Sequence, residues 1–139
     1  MVSDQAMGFV ETRGQAALVR TADAMHKAGR VEWLDYVKIG SAYVTILVYG
    51  ETGAVQTAVA AGAAALEGRE GLVGHNTLPA PHREILNRFL HGEYRGEGEF
   101  GSALGVLEAK GLAGLISAHD AALKEGQTTT LGFFAVGSG

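Results

Sequence analysis

The first half of the chain shows two spacings of apolar positions, one typical of strands and one typical of helices. Residues 6–12 form a short apolar run rich in β-formers that stops at Arg13 and Gly14, and this run predicts a strand. Leu18, Ala22 and Met25 then recur at helical spacing, which predicts an amphipathic helix over residues 15–28. The same reasoning predicts strands over residues 31–39, 43–49 and 72–78, and helices over residues 55–66 and 82–91.

The order of these elements is βαββαβ followed by a short helix, and it predicts an α+β fold. Such an order suits an antiparallel sheet with two helices on one face, the ferredoxin-like layer. Residues 93–102 are polar and rich in glycine, which is typical of a linker. We therefore divide the chain into a unit over residues 1–91, a linker over residues 92–102 and a C-terminal segment over residues 103–139.

The C-terminal segment repeats the beginning of the chain. A shift of 97 positions places residues 7–42 on residues 104–139 without a gap, and 12 of these 36 pairs are identical. The repeat predicts a second strand, helix and strand, the last over residues 128–136, so the second copy is a partial βαβ unit. A segment this short seldom folds unaided. We expect it to dock on a sheet edge or helix face of its own ring, from its own or a neighbouring subunit, unless it belongs to a longer tandem chain.

The composition describes a chain that can form a core, and it narrows the range of partners. Hydrophobic residues make up 47% of the 139 positions and charged residues 19%, which favours a packed fold over disorder. The formal net charge of −4 argues against nucleic acid as a partner. The N-terminus lacks the pattern of a signal peptide, and no apolar run reaches about 18 residues, so we expect a soluble cytoplasmic protein without a membrane partner.

No group of residues has the spacing of a catalytic or metal site. The absence of cysteine removes disulfides, thiolate metal sites and cysteine nucleophiles. The chain has no Gly-x-Ser-x-Gly elbow and no phosphate-binding loop. Its five histidines are scattered, and His119 is interpreted as a packed or hydrogen-bonded residue of the repeated helix. We therefore expect a protein that is not an enzyme, with no catalytic residues, no metal and no cofactor.

Several short motifs together resemble one known family. They are GFVETRG at residues 8–14, ADAM at residues 22–25, KIGSA at residues 38–42 and PAPH at residues 79–82. In this order and at this spacing they resemble the hexamer-forming class of bacterial microcompartment shell proteins. The resemblance implies flat six-fold tiles that pack edge to edge around encapsulated enzymes, with small metabolites crossing at the centre of each tile. The implied partners are copies of the chain itself, other shell proteins and the enclosed enzymes.

The resemblance also implies which residues line the pore. Six-fold symmetry would bring six copies of one loop together, so only small side chains could approach the axis. Backbone amides and a hydroxyl group there would favour polar or anionic solutes. From the residues alone, the same Gly-Ser sequence suits an ordinary hairpin turn equally well. The implied pore residues are Lys38, Ile39, Gly40, Ser41 and Ala42, and the corresponding loop of the second copy is Val136, Gly137 and Ser138.

The tile edge is implied in the same way, with one departure from the family pattern. The residues that match edge positions are Lys27, Arg30, Ala80 and His82. The family's closing motif usually reads Pro-Arg-Pro-His, with its arginine reaching into the next tile, whereas this chain has alanine there. Because alanine cannot make a bidentate contact, we expect Lys27 to carry more of the edge contact. The expected oligomer is a closed ring, either a hexamer or a trimer of tandem units.

A second class of protein shares the predicted fold. Small-molecule-binding regulators also use a βαββαβ layer and bind effectors between subunits, and a fold alone does not decide function. Such regulators need a long mobile loop or a polar cleft between subunits. Residues 93–102 are the one loop of that kind in the sequence, and they lie outside the first unit.

Overall fold

The computed structural model describes residues 5–90, 101 and 103–132. In this part of the chain a four-stranded sheet with the order β2-β3-β1-β4 is antiparallel throughout. The α+β class and the element order predicted from the sequence are confirmed. The strands are β1 (Gln5–Arg13), β2 (Glu32–Gly40), β3 (Tyr43–Glu51) and β4 (Leu72–Leu78). The helices are α1 (Gln15–Ala28), α2 (Thr52–Ala64), α3 (Arg83–Leu90) and α4 (Leu112–Glu125).

Strand β1 is buried on both faces, which explains its continuous apolar run. Ala6 and Val10 face the cluster formed with α1 and α2, in line with the prediction that these two helices share one face of the sheet. Their sequence neighbours Met7 and Phe9 point to the other face of β1, into a second cluster that α3 and α4 cover. Because side chains alternate along a strand, β1 separates two cores, and both of its faces are shielded from water.

Helix α2 approaches the sheet and α1 very closely, and glycine makes both approaches feasible. A Cβ atom added to Gly8 of β1 would lie 2.5 Å from Val55 Cγ1 and 2.6 Å from Val59 Cγ2. One added to Gly62 of α2 would lie 2.6 Å from Met25 Cγ of α1. Glycine at these two positions therefore lets side chains of the neighbouring elements pack directly against the backbone of β1 and of α2.

Helix α4 reproduces α1 at the spacing of the repeat, including both ends. Adding 97 to the bounds of α1 gives the bounds of α4. The residue before each helix is a glycine with a positive φ, 96° with ψ 153° at Gly14 and 88° with ψ 154° at Gly111. Each helix also ends at a glycine in extended conformation, Gly29 and Gly126. A helix is therefore present where the sequence repeat predicts one, and it is flanked by glycines at the same two positions.

The two strands predicted in the second copy differ from the structure. Residues 103–110 and 127–131 form no strand, and a single bridge residue occurs at Gly132. In the first copy β1 is held between β3 and β4, whereas the described second copy has no equivalent of either strand. A strand without a neighbour cannot satisfy its backbone hydrogen-bonding groups, so a strand-like pattern of residues is not enough to form a strand here. Residues 133–139, the end of the second predicted strand, lie outside the described part.

The C-terminal segment does not stand free, as expected, although it docks mainly on a sheet face and not on a sheet edge or a helix face alone. Helix α4 packs on the face of the sheet of its own chain rather than on a sheet edge. Its residues Leu112, Ile116 and Leu123 are buried in the cluster that contains Met7 and Phe9. The sheet face exposes a broad apolar surface that an edge lacks, so burial on the face removes more apolar area from water.

Candidate functional site

The predicted pore loop is a two-residue hairpin between β2 and β3. Gly40 pairs with Tyr43, and the two residues between them, Ser41 and Ala42, have φ values of 51° and 63°. A positive φ at both central residues is the requirement of a type I′ hairpin, which follows the natural twist of the strands. Asn-Gly is the usual sequence there, so a Ser-Ala hairpin keeps small side chains at the tip at a cost in backbone strain. The alternative interpretation as a hairpin turn is thus confirmed as local structure, and it is compatible with a pore.

The base of this hairpin is tied to the end of β1. The backbone N–H of Gly14 donates to the carbonyl oxygen of Ala42 at 3.0 Å, and Arg13 N–H donates to the carbonyl of Gly71 at 2.7 Å. The Arg13 guanidinium carbon lies 5.9 Å from the centroid of the Tyr43 ring. These contacts fix the position of the loop, while its tip stays exposed at Gly40, Ser41 and Ala42.

The remaining two predicted pore residues differ from each other in exposure. Lys38 is exposed on β2, next to the loop. Ile39 is half-buried and packs against the cluster that contains Met7 and Phe9. Ile39 therefore anchors the strand, and the small loop residues with Lys38 form the exposed surface at this end of the sheet. The loop predicted for the second copy, Val136 to Ser138, lies outside the described residues.

The residues predicted at the tile edge lie at the opposite end of β1. Strand β1 pairs with β3 at Arg13, beside the hairpin, and with the end of β4 at Met7. Helix α1 runs back along the sheet, so Lys27 and Arg30 reach the Met7 end, as does the motif from Pro79 that follows β4. Nine residues of β1 span about 30 Å, which separates the two ends.

Three of the four predicted edge residues are exposed. Arg30 and Ala80 are exposed, and the Lys27 side chain is 74% exposed with its Nζ 2.7 Å from Asp23 Oδ2. Such an exposed pair within one helix contributes little to stability and leaves the lysine accessible. His82 is different, because it is half-buried and its backbone N–H donates to Asp120 Oδ1 of α4 at 2.8 Å.

A polar seam joins α4 to the segment around His82. Asp120 is buried, and its other oxygen pairs with Lys124 at 2.8 Å. His119 Nε2 lies 2.6 Å from Thr130 Oγ1, and the Thr130 backbone N–H donates to Glu84 Oε2 at 2.9 Å. Sequence reasoning anticipated a hydrogen-bonded His119 but missed the seam, since its members are far apart along the chain. Asp120 had one sequence signal, its identity with Asp23 in the repeat.

The environment of His119 disfavours its charged form. Burial is the main cause that lowers the pKa of His119 below its ordinary value of 6.5. The charge of nearby His82 acts in the same direction, whereas the carboxylates of Glu84 and Asp120 act against it. The net direction is downward, so the folded protein binds a proton at His119 less readily than an unfolded chain does.

Glu11 is the most buried charged residue of the described chain, at 1% exposure. Its Oε2 accepts from the backbone N–H of Leu112 at 2.8 Å and its Oε1 from that of Ala113 at 3.2 Å. A carboxylate at a helix N-terminus satisfies free amides and interacts favourably with the helix dipole. Glu11 therefore caps α4 from the middle of the sheet. The sequence signal was an acidic residue inside an apolar strand, paired with Glu108 by the repeat.

The described residues define a structural α+β unit with exposed surfaces at two opposite ends. Among them, no three His, Asp or Glu side chains are grouped so that they could hold a metal ion. None of the helices in the described part is both long and apolar enough to cross a membrane. The BMC domain family, which is found in bacterial microcompartment shell proteins, matches residues 6–81, and the chain belongs to this family.

Relatives and a solved structure agree with this assignment. The chain is 44% identical over 93 residues to the major carboxysome shell protein CsoS1 of Prochlorococcus marinus subsp. pastoris, which covers 66% of this chain and 90% of that protein. It is 47% identical over 81 residues to the carboxysome shell protein CsoS1A of Hydrogenovibrio crunogenus. That alignment covers 58% of this chain and 84% of the relative. A crystal structure of a microcompartment protein from Desulfitobacterium hafniense matches with a TM-score of 0.63 and 26% identity. That match covers 88% of this chain and 66% of the solved one.

Proposed function

We propose that this shell subunit assembles into a closed ring of six domain-sized units whose hairpin loops meet around a central pore. The chain's role as a structural subunit of a microcompartment shell follows from its family and its carboxysome relatives. The ring and the pore are features of that family in general. For this chain they are supported by one observation above all, the exposed hairpin of small residues at one end of β1.

The geometry of the hairpin suits a place close to a symmetry axis. Ser41 and Ala42 keep a type I′ conformation although neither is glycine or asparagine, at a cost on the order of 1 kcal/mol each. Larger side chains at the tip would occupy the space that six converging loops need. The loop amides, the Ser41 hydroxyl and the nearby charge of Lys38 favour small polar or anionic metabolites.

The opposite end supplies the contacts between rings in this proposal. Lys27, Arg30 and Ala80 are exposed about 30 Å from the loop, where the rims of neighbouring tiles would meet. With alanine at position 80, Lys27 and Arg30 provide the long side chains at this rim. Neighbouring tiles are copies of this chain or other shell proteins, and the enclosed volume holds enzymes.

The domain division belongs to the same proposal. The strand order β2-β3-β1-β4 is compatible with a ferredoxin-like layer over residues 1–91. The shared bounds and glycine caps of α1 and α4 support a partial second repeat over residues 103–139, joined by a linker over residues 92–102. A chain with two such units would complete a six-unit ring as a trimer, and a chain that contributes one would do so as a hexamer.

Light scattering and electron microscopy of the purified protein test this proposal. The expected results are a ring-sized mass at micromolar concentration and sheets or tubes with hexagonal order. Ser41→Leu should leave the ring mass unchanged and narrow the central opening in class averages, with Ser41→Ala as the matched control. Lys27→Ala should remove the arrays and keep the rings. A monomeric mass would refute the ring, and unfolding by Ser41→Leu would refute an exposed pore loop.

A further inference from the structure

The two repeated helices bury opposite faces. Helix α1 buries Ala17, Thr21 and Met25 against its own unit. Helix α4 buries a different stripe on the sheet, and every position of α1 that corresponds to this stripe is exposed. The buried stripe of α4 is Leu112, Ala113, Ile116, Asp120 and Leu123, and the matching outer stripe of α1 is Gln15, Ala16, Val19, Asp23 and His26.

The outer stripe of α1 is chemically suited to the surface on which α4 rests. Val19 is 65% exposed, whereas Ile116 at the matching position is 1% exposed in the core. Asp23 matches Asp120, which accepts the backbone N–H of His82. The outer stripe differs at Gln15 and His26, where α4 has leucine, so its contact is the more polar of the two.

The ends of the two helices support the same correspondence. Gly14 and Gly111 share one backbone conformation, and the amides that follow Gly111 are bound by Glu11. The N-cap residue of both helices is glycine, so neither helix has a cap from its own N-cap side chain. A carboxylate placed as Glu11 is would satisfy the first amides of α1 in the way that it satisfies those of α4.

We infer that the outer stripe of α1 docks on the sheet face of a second copy of this chain, the face that carries Met7, Phe9 and Glu11. Helix α4 is then the internal equivalent of a neighbour's α1, and the two helices compete for one face. This contact joins the sheet face of one unit to the outer helix face of the next, so it is head-to-tail and closes into a ring when the rotation permits. The inference rests on the proposed ring and identifies the surfaces that form it.

Intramolecular docking gives α4 an advantage in this competition. Because α4 is part of the same chain, it meets the sheet face at a high effective concentration, while α1 of another copy depends on protein concentration. Leu112 and Leu123 of α4 also bury more apolar surface than the matching residues of α1, Gln15 and His26, can. Weakening α4 should therefore increase the contact between chains.

Site-directed cross-linking can distinguish the two occupants, because the chain has no cysteine of its own. Asn76 Nδ2 donates to Ser117 Oγ at 3.0 Å, and Arg20 of α1 is the repeat partner of Ser117. The pair Asn76→Cys with Ser117→Cys, treated with a short bismaleimide, should link within one chain. The pair Asn76→Cys with Arg20→Cys should link only between chains, because α1 and Asn76 lie on opposite faces of the sheet.

The expected result is a dimer and higher species on denaturing gels for the Asn76–Arg20 pair. Ile116→Ser should raise their yield several-fold by weakening α4, and Val19→Glu should remove them. The inference is overturned if no product between chains forms in either background. Light scattering on the same samples distinguishes a failure of this contact from a failure of the proposed ring. Rings without the cross-link refute this contact and leave the proposed function intact, whereas monomers throughout refute both.

Discussion

Replacing Glu11 with glutamine tests whether its carboxylate holds α4 on the sheet. Glutamine has nearly the same shape, but its side chain offers one acceptor oxygen to the two backbone amides of Leu112 and Ala113. One charge-assisted hydrogen bond is lost, which is worth about 1.5–3 kcal/mol, together with part of the helix-dipole interaction. A loss of about 2 kcal/mol corresponds to roughly a 30-fold increase in the population of undocked α4.

Hydrogen exchange of the α4 amides measures this population in the intact protein. Exchange over Leu112–Glu125 should accelerate by about 30-fold in Glu11→Gln, because these amides exchange when the helix leaves the sheet. Glu108→Gln is the matched control, since Glu108 holds the equivalent position in the repeat and is exposed. The amides of β3 report on global opening. Unchanged exchange in α4, or equal acceleration in β3 and α4, would refute a specific role for Glu11 in docking.

Three further predictions concern packing, backbone strain and pH. Gly8→Ala should lower the free energy of unfolding by about 1–3 kcal/mol, because its Cβ would collide with Val55, and Val55→Ala should reduce that loss in a double-mutant cycle. Ala42→Gly should raise it by about 0.5–1 kcal/mol in urea titrations by relieving the positive φ, and a decrease would contradict the strain. The folded-state pKa of His119 is lowered, so its contribution to stability is complete above about pH 6.5 and declines as the pH falls below that value. In His119→Gln the exchange of α4 should lose this part of its pH dependence, and an unchanged profile would refute it.

The local features of the first unit were predictable because they depend on short-range patterns. The predicted bounds of α1 and β4 coincide with those of the structure, and the predicted bounds of β1 to β3 differ by one or two residues at their ends. The sequence repeat also predicted a helix in the C-terminal segment, and the flanking glycines of α4 match those of α1. A helix satisfies most of its backbone hydrogen bonds internally, so a helical sequence pattern still predicts a helix when the neighbouring strands are missing.

The features that the sequence did not predict depend on distant partners. The strand pattern over residues 104–109 has no β3 or β4 equivalent beside it in the described chain, and no strand forms. Glu11 and Leu112 are 101 positions apart, so no local pattern connects the carboxylate with the helix that it caps. Asp120 was visible only as a copy of Asp23, and its burial comes from the packing of α4 against the segment at His82.

The layout of the unit allows the pore loop and the tile edge to vary independently. The ends of β1 separate the hairpin at Ser41 from the edge at Lys27 by about 30 Å, beyond the reach of direct coupling in physiological salt. The sheet face that carries Glu11 is a third surface, which runs along β1 between the two ends. In the proposed ring, the loop decides what crosses, the edge decides how tiles join, and the sheet face decides which helix completes the ring. Lys27→Ala should therefore leave the ring mass and the opening unaffected, and Ser41→Leu should leave the ring mass and the arrays unaffected. Val19→Glu differs from these two variants, because loss of the ring contact removes the opening and the arrays as well. Loss of all three readouts in Lys27→Ala or Ser41→Leu would instead show that the variant had damaged the core of the unit.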